Sequence, residues 1–442
     1  GGRPTGSEQN LRAVEWALER FSAAGVAAAK EPFTVPELWL ARSTSAVVEG
    51  DGIRFELPAA AMPFSVATPA GGIIAPLVDA GFATDDELER LGDSARGAFL
   101  LVETIPLEDI DGLFREYIEA SRIEAWAFSA GTAGVVYMGA RPSGVLHRHN
   151  ASLGPDNEHP LAILEREAAS RALRLLRAGH RLDLRLQIDA ESGPAYTSWN
   201  VIGEIKGTAM PEEIVVIGAH IDSWGLGTGA LDNACNVAMV LDIARQMARL
   251  GLRPKRTIRF ALWNGEEQGL YGSWEYTKSH ADEMDRHVMA SSYDTGTGRI
   301  TGFMTGGRPE VLAAVERSLA PIAGLGPFDN LDVPTFGTDH FDFMLQGVAN
   351  LMANQEPADY GPNYHAATDT FDKVELDTMR INAAIAAVVT WQFANMDVTW
   401  HRQTRQEIQG LIDGTDLGDQ MRAFHLLEDW GKGRRGRALE GE

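Results

Sequence analysis

The chain has 442 residues, 44% hydrophobic and 23% charged, a globular composition long enough for large cores and for two domains. Its 39 Lys and Arg against 62 Asp and Glu give a net charge of −23. That balance repels phosphate backbones and anionic membranes and argues against nucleic acid as a partner. No apolar run approaches the roughly 20 residues of a membrane span. A single cysteine, Cys235, excludes an intrachain disulfide and reads as a small buried apolar residue rather than a metal ligand. The opening Gly-Gly-Arg-Pro-Thr-Gly contains no signal peptide, which is also how a trimmed exported chain would begin.

In chain order, the first helix is expected after a capping box at Thr5-Gly6-Ser7-Glu8, with Leu11, Val14, Leu18 and Phe21 at helical spacing and Gly25 at its end. Strands follow at Ser45–Val48 and Ile53–Leu57. From Pro63 the character changes, with strands at Gly71–Val78, Ala98–Glu103 and Gly134–Met138 and a helix near Leu113–Ala127. The loop bearing His147 and His149 reads as surface. From Asn200 the pattern turns α/β. Ile214–Ala219, Thr257–Trp263, Val288–Tyr293 and Val348–Met352 are buried strands, and Val237–Leu250, Tyr271–His280 and Thr378–Met396 are helices. This alternation implies a mostly parallel sheet sandwiched by helices. The basic tail with Lys432, Arg434, Arg435 and Arg437 reads as a solvated, mobile terminus.

Three stretches carry the chemistry. His220 and Asp222 follow the first buried strand, with Asp232 twelve positions after His220 beyond a Gly-rich loop; Glu266-Glu267 follow the second; Asp294 ends the third, and His365 is distant in sequence. His220, Glu266, Glu267 and Asp294 thus fall at carboxyl ends of strands, the edge where open α/β sheets bind ligands. Alone, His220 would read as a structural histidine, Glu266-Glu267 as a solvated acidic loop, and Asp294 as a cap. Together they form two His, two Asp and a Glu pair, the donor set of two close divalent metals with one carboxylate left over as general base. Adjacent residues leaving a strand point in different directions, so one of Glu266 and Glu267 can bind metal while the other faces the attacking water. Asp222 is placed to orient His220. Trp224, Phe336, Phe341, Tyr360 and Tyr364 are candidates for a substrate pocket, each with core packing as the simpler role.

These residues resemble the co-catalytic zinc aminopeptidase family that also contains the glutamate carboxypeptidases, transferrin receptors and glutaminyl cyclases. The likeness is closest to the plasma glutamate carboxypeptidase, or carboxypeptidase Q, group. It runs through Arg3-Pro4-Thr5-Gly6-Ser7, Gly218–Ser223, Leu252–Thr257, Trp263–Gly269, Gly337-Thr338-Asp339 and His365–Thr370. The resemblance implies a peptidase domain in two segments, 1–60 and 191–442, around an inserted protease-associated lid domain at 61–190. It implies two zinc ions, one held by His220 and Asp294 and the other by Glu267 and His365, with Asp232 bridging and Glu266 as base. It places Asp339 behind the ligands and often puts a cis peptide after the bridging aspartate, here Asp232-Asn233. Asn236 departs from the small residues usual at that point and is read either as a helix cap or as narrowing the site.

The expected activity is zinc-dependent exopeptidase action on dipeptides or short peptides. Cyclising acyl transfer, as in the glutaminyl cyclases, and a receptor-like scaffold are the alternatives; the complete donor set argues against both. By the same resemblance the chain is expected to be secreted or periplasmic and to form a homodimer.

Overall fold

The computed structural model describes residues 1–439 apart from 109, 149 and 151. The first helix, Glu8–Ala23, buries Val14, Ala17 and Phe21, as its spacing predicts. Its cap differs from expectation. Ser7 accepts from the Asn10 backbone N–H at 3.1 Å, while Thr5 donates its hydroxyl to Asp222 at 2.9 Å and Asn264 at 3.1 Å. The chain's first turn is thereby tied to the loops that carry the site.

The main sheet has seven strands in the order Ala27–Val35, Tyr196–Ile205, Arg256–Trp263, Met210–His220, His287–Ser292, Asn350–Gln355, Ile300–Met304. Its four inner strands from Arg256–Trp263 to Asn350–Gln355 are mutually parallel, and the flanking pairs are antiparallel. The sheet is therefore mixed, a correction to the mostly parallel sheet read from sequence. The inner strands bury both faces and show as continuous apolar runs. Ala27–Val35 is an edge strand carrying Lys30, Glu31 and Pro32 with most positions at least partly exposed, so it has no such run to read. Helices Glu8–Ala23, Cys235–Arg249 and Leu376–Asn395 close one face over Val215, Ile217 and Phe260. Trp263, Tyr276, Met284 and Phe343 fill the other.

A second, eight-stranded sheet runs in the order Ile53–Leu57, Leu38–Gly50, Asp183–Gly193, Ile73–Asp79, Phe99–Val102, Gly134–Met138, Leu161–Leu164, Ala59–Ala61. It too is parallel at its centre and antiparallel at its flanks. Its core includes Trp39, and Trp224, from the loop after Met210–His220, packs edge-on against Trp39 at 6.1 Å. A third cluster joins Phe336 and Phe341 to the C-terminal helices Arg405–Gly414, Leu417–Ala423 and Leu426–Gly431.

The basic tail is not a mobile appendage. Arg435 is buried and grips Asp342 through two nitrogens at 2.7 and 2.8 Å, and Arg437 donates its backbone N–H to Leu345 at 2.8 Å. A charge cluster near a terminus looks solvated in sequence because its buried counter-charge lies elsewhere in the chain.

Candidate metal centre

The inner parallel strands end side by side. His220 is the last residue of its strand, Glu266 and Glu267 follow the Arg256–Trp263 strand, and Asp294 follows His287–Ser292. Asp232 returns to this edge through the loop after His220, and the Asp232-Asn233 peptide is cis. His365, after the short Tyr360–Asn363 helix, completes the ring. The donor atoms form two buried triads, His220–Asp232–Asp294 and Asp232–Glu267–His365, each with its atoms within 4.8 Å of one another. His220 Nε2 lies 2.8 Å from Asp294 and 3.0 Å from Asp232 Oδ1. His365 Nε2 lies 2.8 Å from Glu267 and 3.4 Å from Asp232 Oδ2. Asp232 thus offers one oxygen to each side. Glu266 stands beside the first triad, 3.9 Å from His220, and belongs to neither.

Asp222 works mainly on the Glu pair. Its two oxygens accept the backbone N–H groups of Glu266 and Glu267, each at 3.3 Å. The His220 Nδ1 is nearer the Asp222 carbonyl, 3.2 Å, than its carboxylate, 3.6 Å. Two supports were not read from sequence. Asp369 accepts from the Leu231 and Asp232 backbones at 2.7 and 3.2 Å and so fixes the bridging carboxylate. Arg3 pins the intervening loop through the carbonyls of Thr228 and Gly229, at 3.0 and 3.1 Å. Their signal was present, since both lie inside the motifs His365–Thr370 and Arg3–Ser7, but neither type nor spacing distinguishes a support from a bystander. Asn236 is inside its helix rather than capping it. It donates to Asn233 Oδ1 at 2.7 Å, and Asn233 donates to the Tyr293 carbonyl at 2.8 Å.

Electrostatics make this arrangement costly without cations. Burial first, then Asp232, pushes Glu267 well above the usual carboxylate range; burial, reinforced by Asp294, does the same to Glu266. Burial would lower His220, yet Asp294 and Glu266 outweigh it and hold the imidazole high. Burial brings His365 down to about 4, with Asp232 opposing and the Arg141 charge adding. Asp232 Oδ2 is buried without a hydrogen-bond partner among the described residues. Carboxylates this crowded, with imidazoles as their direct neighbours, fit divalent cations, and imidazole plus carboxylate suits zinc. Asp339 is fully buried, and burial raises it strongly. Cys235 joins neither triad; its thiol hydrogen-bonds Leu231 O and burial pushes it up, away from a thiolate.

The pocket candidates divide. Trp224 lines a small cavity with Asp232, Glu267 and His365, and its backbone N–H donates to Glu267 at 3.2 Å. Tyr364 stacks on the His365 ring at 3.7 Å, and Tyr360 meets Tyr364 edge-on at 5.6 Å. Burial and then the carboxylates Asp232 and Asp294 raise the Tyr360 hydroxyl. Phe336 and Phe341 instead pack on each other at 5.0 Å within the C-terminal core.

The second sheet reaches the centre. His147, expected on the surface, is 1% exposed and bridges Ala366, while His149 lies outside the described residues. Arg148 N–H donates to the His365 carbonyl at 3.2 Å, Ala367 N–H to Leu146 at 2.8 Å, and Asn150 Nδ2 to the Glu267 carbonyl at 2.8 Å. From the helix Ile110–Ala130, the Tyr117 hydroxyl lies 3.3 Å from that of Tyr364.

This fold and donor set define a class that sequence comparison identifies independently. The family model "Peptidase family M28" matches residues 200–390. The chain belongs to peptidase family M28. Rat carboxypeptidase Q is 30% identical over 339 residues, covering 75% of this chain and 70% of that protein. Human carboxypeptidase Q is 27% identical over 412 residues, covering 90% and 83%. The crystal structure of a peptidase M28 precursor from Shewanella amazonensis superposes with a TM-score of 0.81 at 28% identity, covering 91% of this chain and 92% of that one. A zinc aminopeptidase from Bacillus subtilis shares the fold, with a TM-score of 0.70 at 20% identity over 90% and 92% of the two chains.

Proposed function

We propose that this chain is a dinuclear zinc exopeptidase acting on dipeptides and short peptides, with Glu266 as general base. The observation that carries the reading is the pair of triads sharing Asp232, with a fourth carboxylate, Glu266, beside them and in neither. His220 and Asp294 would hold one ion, Glu267 and His365 the other, and Asp232 both. When bound, two such ions would supply Lewis-acid polarisation of the scissile carbonyl and of the attacking water. Glu266 accepts the proton of the attacking water and delivers it to the leaving amine. Asp222 holds Glu266 and Glu267 in their separate roles through their backbones, so a shift of one residue in this loop would exchange base and ligand. Asn236 and Asp369 hold the Asp232-Asn233 turn from two sides.

In the same reading the second sheet, with the Ile110–Ala130 helix, is an inserted protease-associated lid. Bonds from its loop to the carbonyls of Glu267 and His365 support this reading, in which the lid would exclude water and limit what enters to short chains. An exported homodimer is proposed on the family resemblance alone.

The test separates base from ligand. Glu266→Gln should lower kcat by roughly 100- to 10,000-fold while zinc content is unchanged, because an amide cannot take the water proton. Glu267→Gln should lose part of the bound zinc. Equal zinc loss in the two variants would refute the assignment.

A further inference from the structure

Asn236 is buried in the first turn of the Cys235–Arg249 helix, shortly after Asp232. Its side-chain amide carries two N–H groups. It donates to Asn233 Oδ1 at 2.7 Å and reaches the Gly296 carbonyl at 3.4 Å. Asn233, also buried, donates from Nδ2 to the Tyr293 carbonyl at 2.8 Å. Tyr293 immediately precedes Asp294 and Gly296 closely follows it, while Asn233 immediately follows Asp232. Two ligand-bearing segments distant along the chain are thus laced together.

The order of these bonds matters. An Asn amide can turn either its oxygen or its nitrogen towards a carbonyl, and only the nitrogen bonds there. With a donor from Asn236 on Oδ1, the Asn233 amide has one orientation in which both contacts are hydrogen bonds, the one with Nδ2 on Tyr293. Without Asn236, that oxygen loses this donor in a buried place, which is costly, and the amide is no longer fixed. Gly296 cannot take up the slack. Its φ is +65°, and a Cβ there would lie 2.8 Å from the Tyr360 ring, so its backbone is already against Tyr360. Gln355 Nε2 also reaches the Gly296 carbonyl at 3.4 Å, so the bond to Asn233 is the one that depends most on Asn236.

These bonds oppose a repulsion. Asp232 and Asp294 lie 3.0 and 2.8 Å from the same atom, His220 Nε2. Two carboxylates gathered at one atom in a buried place repel strongly. A tether between their segments offsets that repulsion, and Asn233 and Asn236 supply one. Asp369 steadies the Asp232 side alone, through the Leu231 and Asp232 N–H groups. Glu267 and His365 are held differently, by the Trp224, Asn150 and Arg148 bonds.

We propose that Asn236 is a positioning residue for the His220 side of the centre: by fixing Asn233 on the Tyr293 carbonyl it sets the separation of Asp232 and Asp294, and with it the affinity for the ion held between them. This rests on the two-ion reading above and deepens it, because the two ions then depend on different supports.

The experiment titrates zinc into the metal-stripped protein in competition with a fluorescent chelator. The wild type should take two ions. Asn236→Ala and Asn236→Leu should each weaken one of them roughly 10- to 100-fold and change the other by less than about 3-fold. Ala leaves room and Leu fills it, so a loss common to both belongs to the missing donor rather than to volume. Diffraction at the zinc edge, with zinc limiting, should show the ion lost between His220 and Asp294 and kept between Glu267 and His365. Unchanged zinc affinity in either variant would overturn the proposal, even if its melting temperature fell. So would equal weakening of both ions, loss confined to the Glu267–His365 side, or a wild type limited to one ion. A wild type that binds two zinc ions and cleaves no peptide would remove the exopeptidase reading and leave this one standing.

Discussion

Replacing Arg435 with Met should destabilise the protein far more than a change in a short basic segment seven residues before the last residue of the sequence ordinarily would. The Arg435 and Asp342 side chains are 2% and 1% exposed and are joined by two hydrogen bonds at 2.7 and 2.8 Å. Arg435 also donates to the Gly269 carbonyl at 3.2 Å and lies over the Trp274 ring at 4.7 Å. Removing it leaves Asp342 buried with Ser273 as its remaining side-chain donor, at 2.9 Å. A stranded buried charge costs about 3–5 kcal/mol, and losing the ring contact adds roughly 0.5–1 kcal/mol. Asp342→Asn together with Arg435→Met removes the stranded charge and should recover about 2–3 kcal/mol of that loss as coupling energy. Urea unfolding of the zinc-loaded protein, followed by tryptophan fluorescence, measures all three variants. A loss below about 1 kcal/mol for Arg435→Met would show a tail that is solvated in solution, and the strap across Asp342 would be refuted. Gly269 N–H also bonds the Glu266 carbonyl at 2.9 Å, so the same variant should raise the rate of zinc loss.

Elemental analysis of protein prepared without chelator should approach two zinc ions per chain, and a ceiling of one with excess zinc would remove the bridging role of Asp232. Stability should also carry a pH signature from Glu124, a buried carboxyl that burial pushes up to about 7 despite bonds from Ser152 and Tyr137. Because its folded value lies above the unfolded value of about 4.3, this group's stabilising contribution is complete below that value and disappears as pH rises towards 7, a change of roughly 3 kcal/mol. Glu124→Gln should therefore be relatively more stable than the wild type at pH 8 than at pH 5, and a difference independent of pH would show that Glu124 does not titrate in this window. Light scattering at micromolar concentration should give a dimer, and a monomer there would remove the homodimer.

Much of the centre was legible in the sequence because its chemistry is local. His220, Glu266, Glu267 and Asp294 each end or follow a strand whose burial on both faces leaves an apolar run, and such runs are read directly. Their convergence follows from parallel strands sharing a carboxyl edge. What the sequence could not settle depends on pairs distant along the chain. Edge strands such as Ala27–Val35 are specified by a neighbour's open hydrogen bonds rather than by their own hydrophobicity, so the sheet's mixed character was hidden. Arg435 looks solvated until Asp342, 93 positions away, is brought against it. His147 looks like a surface loop residue until the second sheet sets it against Ala366. A side chain's burial and charge partner are properties of the folded neighbourhood. For these residues that neighbourhood is built by long-range packing, which the tertiary structure alone decides.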